Sequence, residues 1–187
     1  MHGDEEMQAT SQPSLPRRGF TSFELVLTLA LIGLILALGV TRVDSSTWRL
    51  DTAGQDVVQH VRAARALAVL RQHDVVVIFD VGASAIVVHE DANSDGAIDA
   101  GERVRRQPLE GNVHFTRSAA PHFAGFAAGP VTFRSSSVTF RRNGSASEEG
   151  AVYLSRRGIE KARVVVIRRA TGYAEMFRYN GSGWLSD

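Results

Sequence analysis

Two stretches of this sequence carry residues whose types and spacing could do chemistry. The first is Asp91-Ala92-Asn93-Ser94-Asp95-Gly96-Ala97-Ile98-Asp99-Ala100-Gly101-Glu102. It follows the calcium-loop template D-x-N-x-D-G-x-I-D-x-x-E at every position, with oxygen donors at alternating residues converging on one cation. Asp91, Asn93 and Asp95 would give side-chain oxygens, Ala97 its carbonyl, Asp99 a contact through water, and Glu102 both carboxylate oxygens. Gly96 permits the sharp turn, and Ile98 is expected to turn inward. The flanks are not those of a helix–loop–helix unit: Ile86-Val87-Val88 reads as strand, and residues 103–106 are too short and basic for a helix. The competing reading is an acidic hairpin loop, because Asp, Asn and Gly are also what turns use. Calcium is the one cofactor the sequence raises.

The second stretch places a lone carboxylate at the start of an apolar run. Arg17-Arg18-Gly19 leads into Phe20-Thr21-Ser22-Phe23-Glu24, and an almost wholly apolar segment continues to Val40. As helix, residues 20–40 span roughly 30 Å, the hydrocarbon thickness of a bilayer. Arg17 and Arg18 precede the run, which by the positive-inside rule puts the leader in the cytoplasm. Arg42, Trp48 and Arg49 mark the far side, with Trp48 at the interface or in ordinary packing. An ionised side chain costs about 2.5–3.5 kcal/mol at the bilayer centre and less near its edge, so Glu24 calls for a function. A cleavable secretory signal is the rival reading, but the run is long and no convincing Ala-x-Ala site follows it.

No catalytic set emerges. The six histidines, His2, His60, His73, His89, His114 and His122, show no metal spacing, although His89 stands beside the acidic loop. No Gly-x-Ser-x-Gly elbow or phosphate-binding glycine loop is present, and the reading is not an enzyme. With no cysteine among 187 residues, thiol chemistry and disulfides are excluded.

The elements that must position these residues follow from periodicity. Leu50, Ala53, Val57, Val61, Ala64 and Ala68 recur at three- and four-residue spacing, widened by Val58 and Leu67, so the helix is expected to run on to about Arg71 with an amphipathic second half. That makes it about 75–80 Å long, unless Gly39 or Ser45-Ser46 breaks it near residues 41–47. From His73 the period changes to that of strands. Residues 75–79 and 85–88 read as a hairpin, and 103–108, 113–116, 131–133, 138–140, 151–154, 163–168 and 173–179 as further strands. Residues 119–129, rich in Gly and Ala with Phe123 and Phe126, read as a mobile contact loop or a cover over core. The fold class is α+β: a long N-terminal helix on a mostly antiparallel sheet. The parts are a leader (1–19), a membrane and assembly half-helix (20–43), an amphipathic half-helix (44–72) and a β-rich head (73–187).

Gly19-Phe20-Thr21-Ser22-Phe23-Glu24 resembles the prepilin peptidase motif of type IV pilins and type II secretion pseudopilins. The resemblance implies cleavage between Gly19 and Phe20 by an inner-membrane prepilin peptidase, N-methylation of Phe20, and a pairing of Glu24 with the new ammonium on a neighbouring subunit. It implies other pilin-like subunits as partners and a periplasmic head carried on a filament. Val138-Thr139-Phe140-Arg141-Arg142-Asn143-Gly144, Gly150-Ala151-Val152-Tyr153-Leu154, Arg163-Val164-Val165-Val166-Ile167 and Thr171-Gly172 are similar in order to the GspH/FimT-type minor pseudopilins. That implies a subunit near the tip of a type II secretion pseudopilus.

Charge raises one more partner. Residues 20–102 sum to −6 and residues 103–187 to +8. Arg141, Arg156, Arg168 and Arg178, with neighbouring arginines, could form a stripe for phosphates. DNA-binding minor pilins of the FimT type carry Gly-Arg-x-Arg near the C-terminus; here the place reads Gly172-Tyr173-Ala174-Glu175, which argues against DNA. A solvated basic face, or one that meets the acidic stretch of the next subunit, is the plainer reading. A FimT-like pilin for DNA uptake or pilus assembly stands as the alternative.

Overall fold

The computed structural model describes residues 21–40, 45–156 and 160–186. The leader, the Gly19-Phe20 bond, Arg42 and Arg157 lie outside the described residues. The chain divides into two units, Met1–Val43 and Asp44–Asp187.

The first unit contains α1 (Ser22–Val40). Thr21 caps it: the Glu24 N–H donates to Thr21 Oγ1 at 3.2 Å, satisfying one of the donors a helix start leaves open. No helix among the described residues is long and apolar enough to cross a membrane. Side chains of α1 are described as far as Leu36, and all of those are exposed.

The second unit is one helix laid across two antiparallel sheets. Helix α2 (Ser45–Arg71) buries Leu50, Ala53, Val57, Val58, Val61, Ala64 and Ala68 along one stripe, as the spacing predicts. One sheet has β1 (Asp74–Asp80), β2 (Ala85–Asp91), β3 (Arg103–Pro108) and β5 (Ser137–Phe140), in the order β3-β2-β1-β5. The other has β4 (Val113–Phe115), β6 (Gly150–Arg156), β7 (Ala162–Ile167), β8 (Ala174–Tyr179) and β9 (Trp184–Ser186), in the order β4-β6-β7-β8-β9. The head is antiparallel sheet, as expected, divided into two sheets. Residues 131–133 form no strand: Val131 makes an isolated bridge to Val152, and a short 3-10 turn (Arg134–Ser136) follows.

The main core joins the α2 stripe to one face of both sheets, through Val75, Val77, Phe79, Ile86, Val138 and Phe140 on one side and Val152, Leu154, Val165 and Ile167 on the other. The opposite face of the second sheet buries Ala151, Tyr153, Val164 and Val166 under Phe123, Phe126, Phe177 and Trp184. Phe123 and Phe126 therefore pack on the sheet; the Phe123 N–H donates to the Tyr153 hydroxyl at 2.8 Å. The segment 119–129 is a cover over core, the second of the two expectations.

Polar ties set α2 on the sheets. Arg163, only 2% exposed, donates from Nε to Asp51 Oδ1 at 2.6 Å. Farther along, Arg65 Nε is shared between Gly144 O (3.1 Å) and Thr171 O (2.8 Å), so one side chain holds the β5–β6 and β7–β8 turns together.

Candidate functional site

The acidic loop leaves β2 at Asp91 and re-enters the sheet at Arg103. Its beginning and end close on each other. The Ala92 N–H donates to Glu102 Oε1 at 2.9 Å, and the Asp99 N–H to Glu102 Oε2 at 3.0 Å. Beneath them His89, fully buried on β2, places Nε2 2.6 Å from Glu102 Oε2. The Asp99 N–H first, then the His89 imidazole and the Ala92 N–H, hold the Glu102 carboxyl down at about 2, because each interaction favours the ionised form. His89 Nδ1 is buried with no partner.

Asp91 is likewise buried and accepts from the Asp95 N–H (3.2 Å) and the Gly96 N–H (2.8 Å). Gly96 has φ +79°, the left-handed conformation the turn requires. Asn93 Nδ2 reaches Asp95 Oδ2 at 3.0 Å and Asp99 Oδ2 at 2.9 Å. Ala97 donates its N–H to Asp95 Oδ1 at 2.7 Å. Many loop oxygens are thus occupied by internal donors. Among the described residues no three His, Cys, Asp or Glu side chains group as a metal site. Ile98 is 56% exposed, which corrects the inward expectation: the loop joins two strands rather than the two helices that flank such a loop in a helix–loop–helix unit.

The arginines of the phosphate stripe are split between the ends of the second sheet. Arg168 follows Ile167, which pairs with Ala174 at the edge where Gly150 begins β6. Arg178 pairs with Arg163, and Arg156 with Val113, at the other end. Arg141 follows β5, in the turn tied to the Arg168 end by Arg65. Arg168 is itself engaged, 2.8 Å from Glu149 and 3.8 Å from Glu175. The structure brings Arg141 and Arg168 to one end of the head and Arg156 and Arg178 to the other.

Glu24 lies in the first turn of α1, where a carboxylate complements the positive end of the helix dipole. Around it stand Phe23, Leu25, Val26 and Leu27, each more than half exposed. From Ser22 to Leu36 the described side chains of α1 are mostly apolar and all exposed.

The model of the family described as type II transport protein GspH matches residues 53–172, from the third turn of α2 to the β7–β8 turn. The chain belongs to the GspH family. Its match covers the α2 stripe from Ala53 on, the acidic loop, all of the first sheet and β4, β6 and β7 of the second, and stops before β8. Pilin-like protein PilA1 of Thermus thermophilus is 32% identical over 89 residues, 47% of this chain and 57% of that protein. The chain thus spans little more than half the length of that curated relative. Among solved structures, the type IV minor pilin FimU of Pseudomonas aeruginosa matches with a TM-score of 0.50 at 15% identity, over 72% of this chain and 91% of that one. The minor pseudopilin EpsH from the type 2 secretion system of Vibrio cholerae matches at 0.47 and 12%, over 68% and 95%. The FimU likeness shows that the GspH-family head has a pilin-like fold.

Sequence reasoning missed Arg65 and the Asp51–Arg163 pair. The pair had a signal: an arginine opening the otherwise apolar run of β7, with an aspartate on the flank of the α2 stripe.

Proposed function

We propose that this GspH-family chain is a minor pseudopilin, a structural and assembly subunit near the tip of a type II secretion pseudopilus, and not an enzyme. The observation that carries the reading is the family match across most of α2 and most of the head. In this reading prepilin peptidase cuts between Gly19 and Phe20, Phe20 is N-methylated, and residues 20–40 hold the chain in the inner membrane with the head in the periplasm. The bare apolar surface of α1 then packs among the helices of neighbouring subunits, and Glu24 meets the Phe20 ammonium of one of them. An ion pair in apolar surroundings stays favourable only when both partners are present, so it selects one register. The test is crosslinking through α1 in native filaments: capture of secretion pseudopilins supports the reading, and capture of type IV pilins alone transfers the subunit to a pilus. The likeness to PilA1 favours that pilus reading.

The acidic loop supports a second role. Its second and last template positions are already joined through the Ala92–Glu102 hydrogen bond. Binding of calcium by Asp91, Asn93, Asp95, Ala97, Asp99 and Glu102 requires Glu102 to exchange His89 and backbone donors for the ion.

A further inference from the structure

The chain contains two Asn-Gly-Ser triplets, Asn143-Gly144-Ser145 and Asn180-Gly181-Ser182. An asparagine followed by glycine is a chemically weak point of a backbone, because a residue without a side chain lets its nitrogen approach the asparagine Cγ closely. The two triplets are identical in sequence, and the fold treats their reacting atoms differently.

Asn180 closes the hairpin between β8 and β9, its N–H donating to Gly183 O at 3.2 Å. Its Oδ1 accepts from the Ser182 N–H, the Ser182 hydroxyl and the Gly183 N–H, each at 2.9 Å. These donors draw electrons from Cγ and are placed to hold the negative charge that forms on Oδ1 when Cγ is attacked. The Gly181 N–H donates to nothing among the described residues. Gly181 has φ +101°, with open space where a side chain would stand. All three residues are exposed, so water and hydroxide reach them.

At the first triplet the nitrogen is occupied. The Gly144 N–H donates to Arg141 O at 2.7 Å, and Arg65 Nε holds the Gly144 carbonyl at 3.1 Å. Asn143 Oδ1 still accepts from the Ser145 N–H (3.0 Å) and hydroxyl (2.7 Å), so its Cγ is polarised in the same way.

We infer that the β8–β9 turn is a site of spontaneous deamidation at Asn180, and that the fold spares Asn143. The Gly181 nitrogen gives its proton to hydroxide, and its electron pair bonds to Asn180 Cγ while the carbonyl π pair moves to Oδ1. That pair returns as the Cγ–Nδ2 bond breaks, and ammonia leaves with a proton taken from water. Water then opens the cyclic imide at either carbonyl, leaving aspartate or isoaspartate. Both products add a negative charge. The isoaspartate also adds a carbon to the main chain of the turn that pairs Tyr179 with Trp184, whose ring packs on Tyr153.

The purified full chain is kept in detergent at neutral and mildly alkaline pH, and samples are cleaved at arginine. Arg142 and Arg178 stand just before the two triplets, so each asparagine is released on its own peptide. Mass spectrometry is expected to show amide-to-acid conversion of Asn180 in two separable isomers, faster at the higher pH and well ahead of Asn143. In guanidinium, where the two triplets are locally alike, both should convert at similar rates. Ser182→Ala should slow conversion of Asn180 in the folded chain, because one donor to Oδ1 is gone. Equal conversion of both asparagines in the folded chain, or conversion of Asn143 first, overturns the assignment. So does a folded Asn180 that stays intact while the unfolded one converts. A Ser182→Ala rate equal to that of wild type overturns the role given to the hydroxyl.

Discussion

Arg163 Nε and Asp51 Oδ1 meet at 2.6 Å, joining the second residue of β7 to the second turn of α2. The guanidinium is 2% exposed and the carboxylate about a third exposed. Removing one partner of such a pair strands the other charge, which costs about 3–5 kcal/mol when both are dry. With Asp51 reachable by water, Asp51→Ala is expected to destabilise the head by about 2–3 kcal/mol. Adding Arg163→Met to it should recover most of the loss, because an apolar side chain of similar length needs no counter-charge. Thermal melting of the two variants measures both.

The turn that Arg65 holds is equally specific. Gly172 has φ +62°, and a Cβ there would run into the Gly144 carbonyl, which is backbone and cannot swing away. A left-handed conformation alone costs an L-residue about 1–2 kcal/mol. Gly172→Ala is therefore expected to lower stability by about 2 kcal/mol or more, read by chemical denaturation.

Glu102 gives the head an acid-sensitive loop. Its carboxyl is held at about 2, below the ordinary 4.5, by the Asp99 N–H and then His89. A depressed acid contributes stability that is complete above the unfolded value and is lost as pH falls toward the folded one. The head should therefore lose stability between about pH 4.5 and 2. Glu102→Gln should flatten that part of the profile while lowering stability at pH 7, measured by melting temperature against pH.

Calcium is tested on the same loop. Calorimetric titration should show heat, and millimolar calcium should raise the melting temperature of wild type but not of Asp91→Asn/Glu102→Gln. No heat and no stabilisation would sink the calcium role and leave a hydrogen-bonded acidic turn.

Much of this was legible in the sequence where one local period governs. The α2 stripe from Leu50 to Ala68 came straight from 3.6-residue spacing, and β3 carries the expected bounds because Arg103 and Pro108 bracket an extended run. What escaped depends on distant partners. The division into two sheets turns on β1 pairing with β5, some sixty residues away. Strand β9 is three residues long, too short for a period, and forms by pairing with the end of β8. Residues 131–133 alternate like a strand, yet Val131 finds a single bridge. In the acidic loop the template was visible, but the buried His89 beneath Glu102 follows from strand register that composition does not encode.

Glu24→Ala should leave cleavage intact while reducing incorporation into filaments, since the peptidase acts before Glu24 can find its partner. Normal incorporation of that variant, read by immunoblotting of sheared filaments, contradicts the register role.

The most direct measurement of the central claim is intact mass and N-terminal sequencing of the protein isolated from membranes of cells that make prepilin peptidase. The account predicts a chain beginning at Phe20 and carrying one added methyl group, with Gly19→Arg leaving the chain unprocessed. A chain that keeps residues 1–19, or one cut after the apolar run, would contradict it.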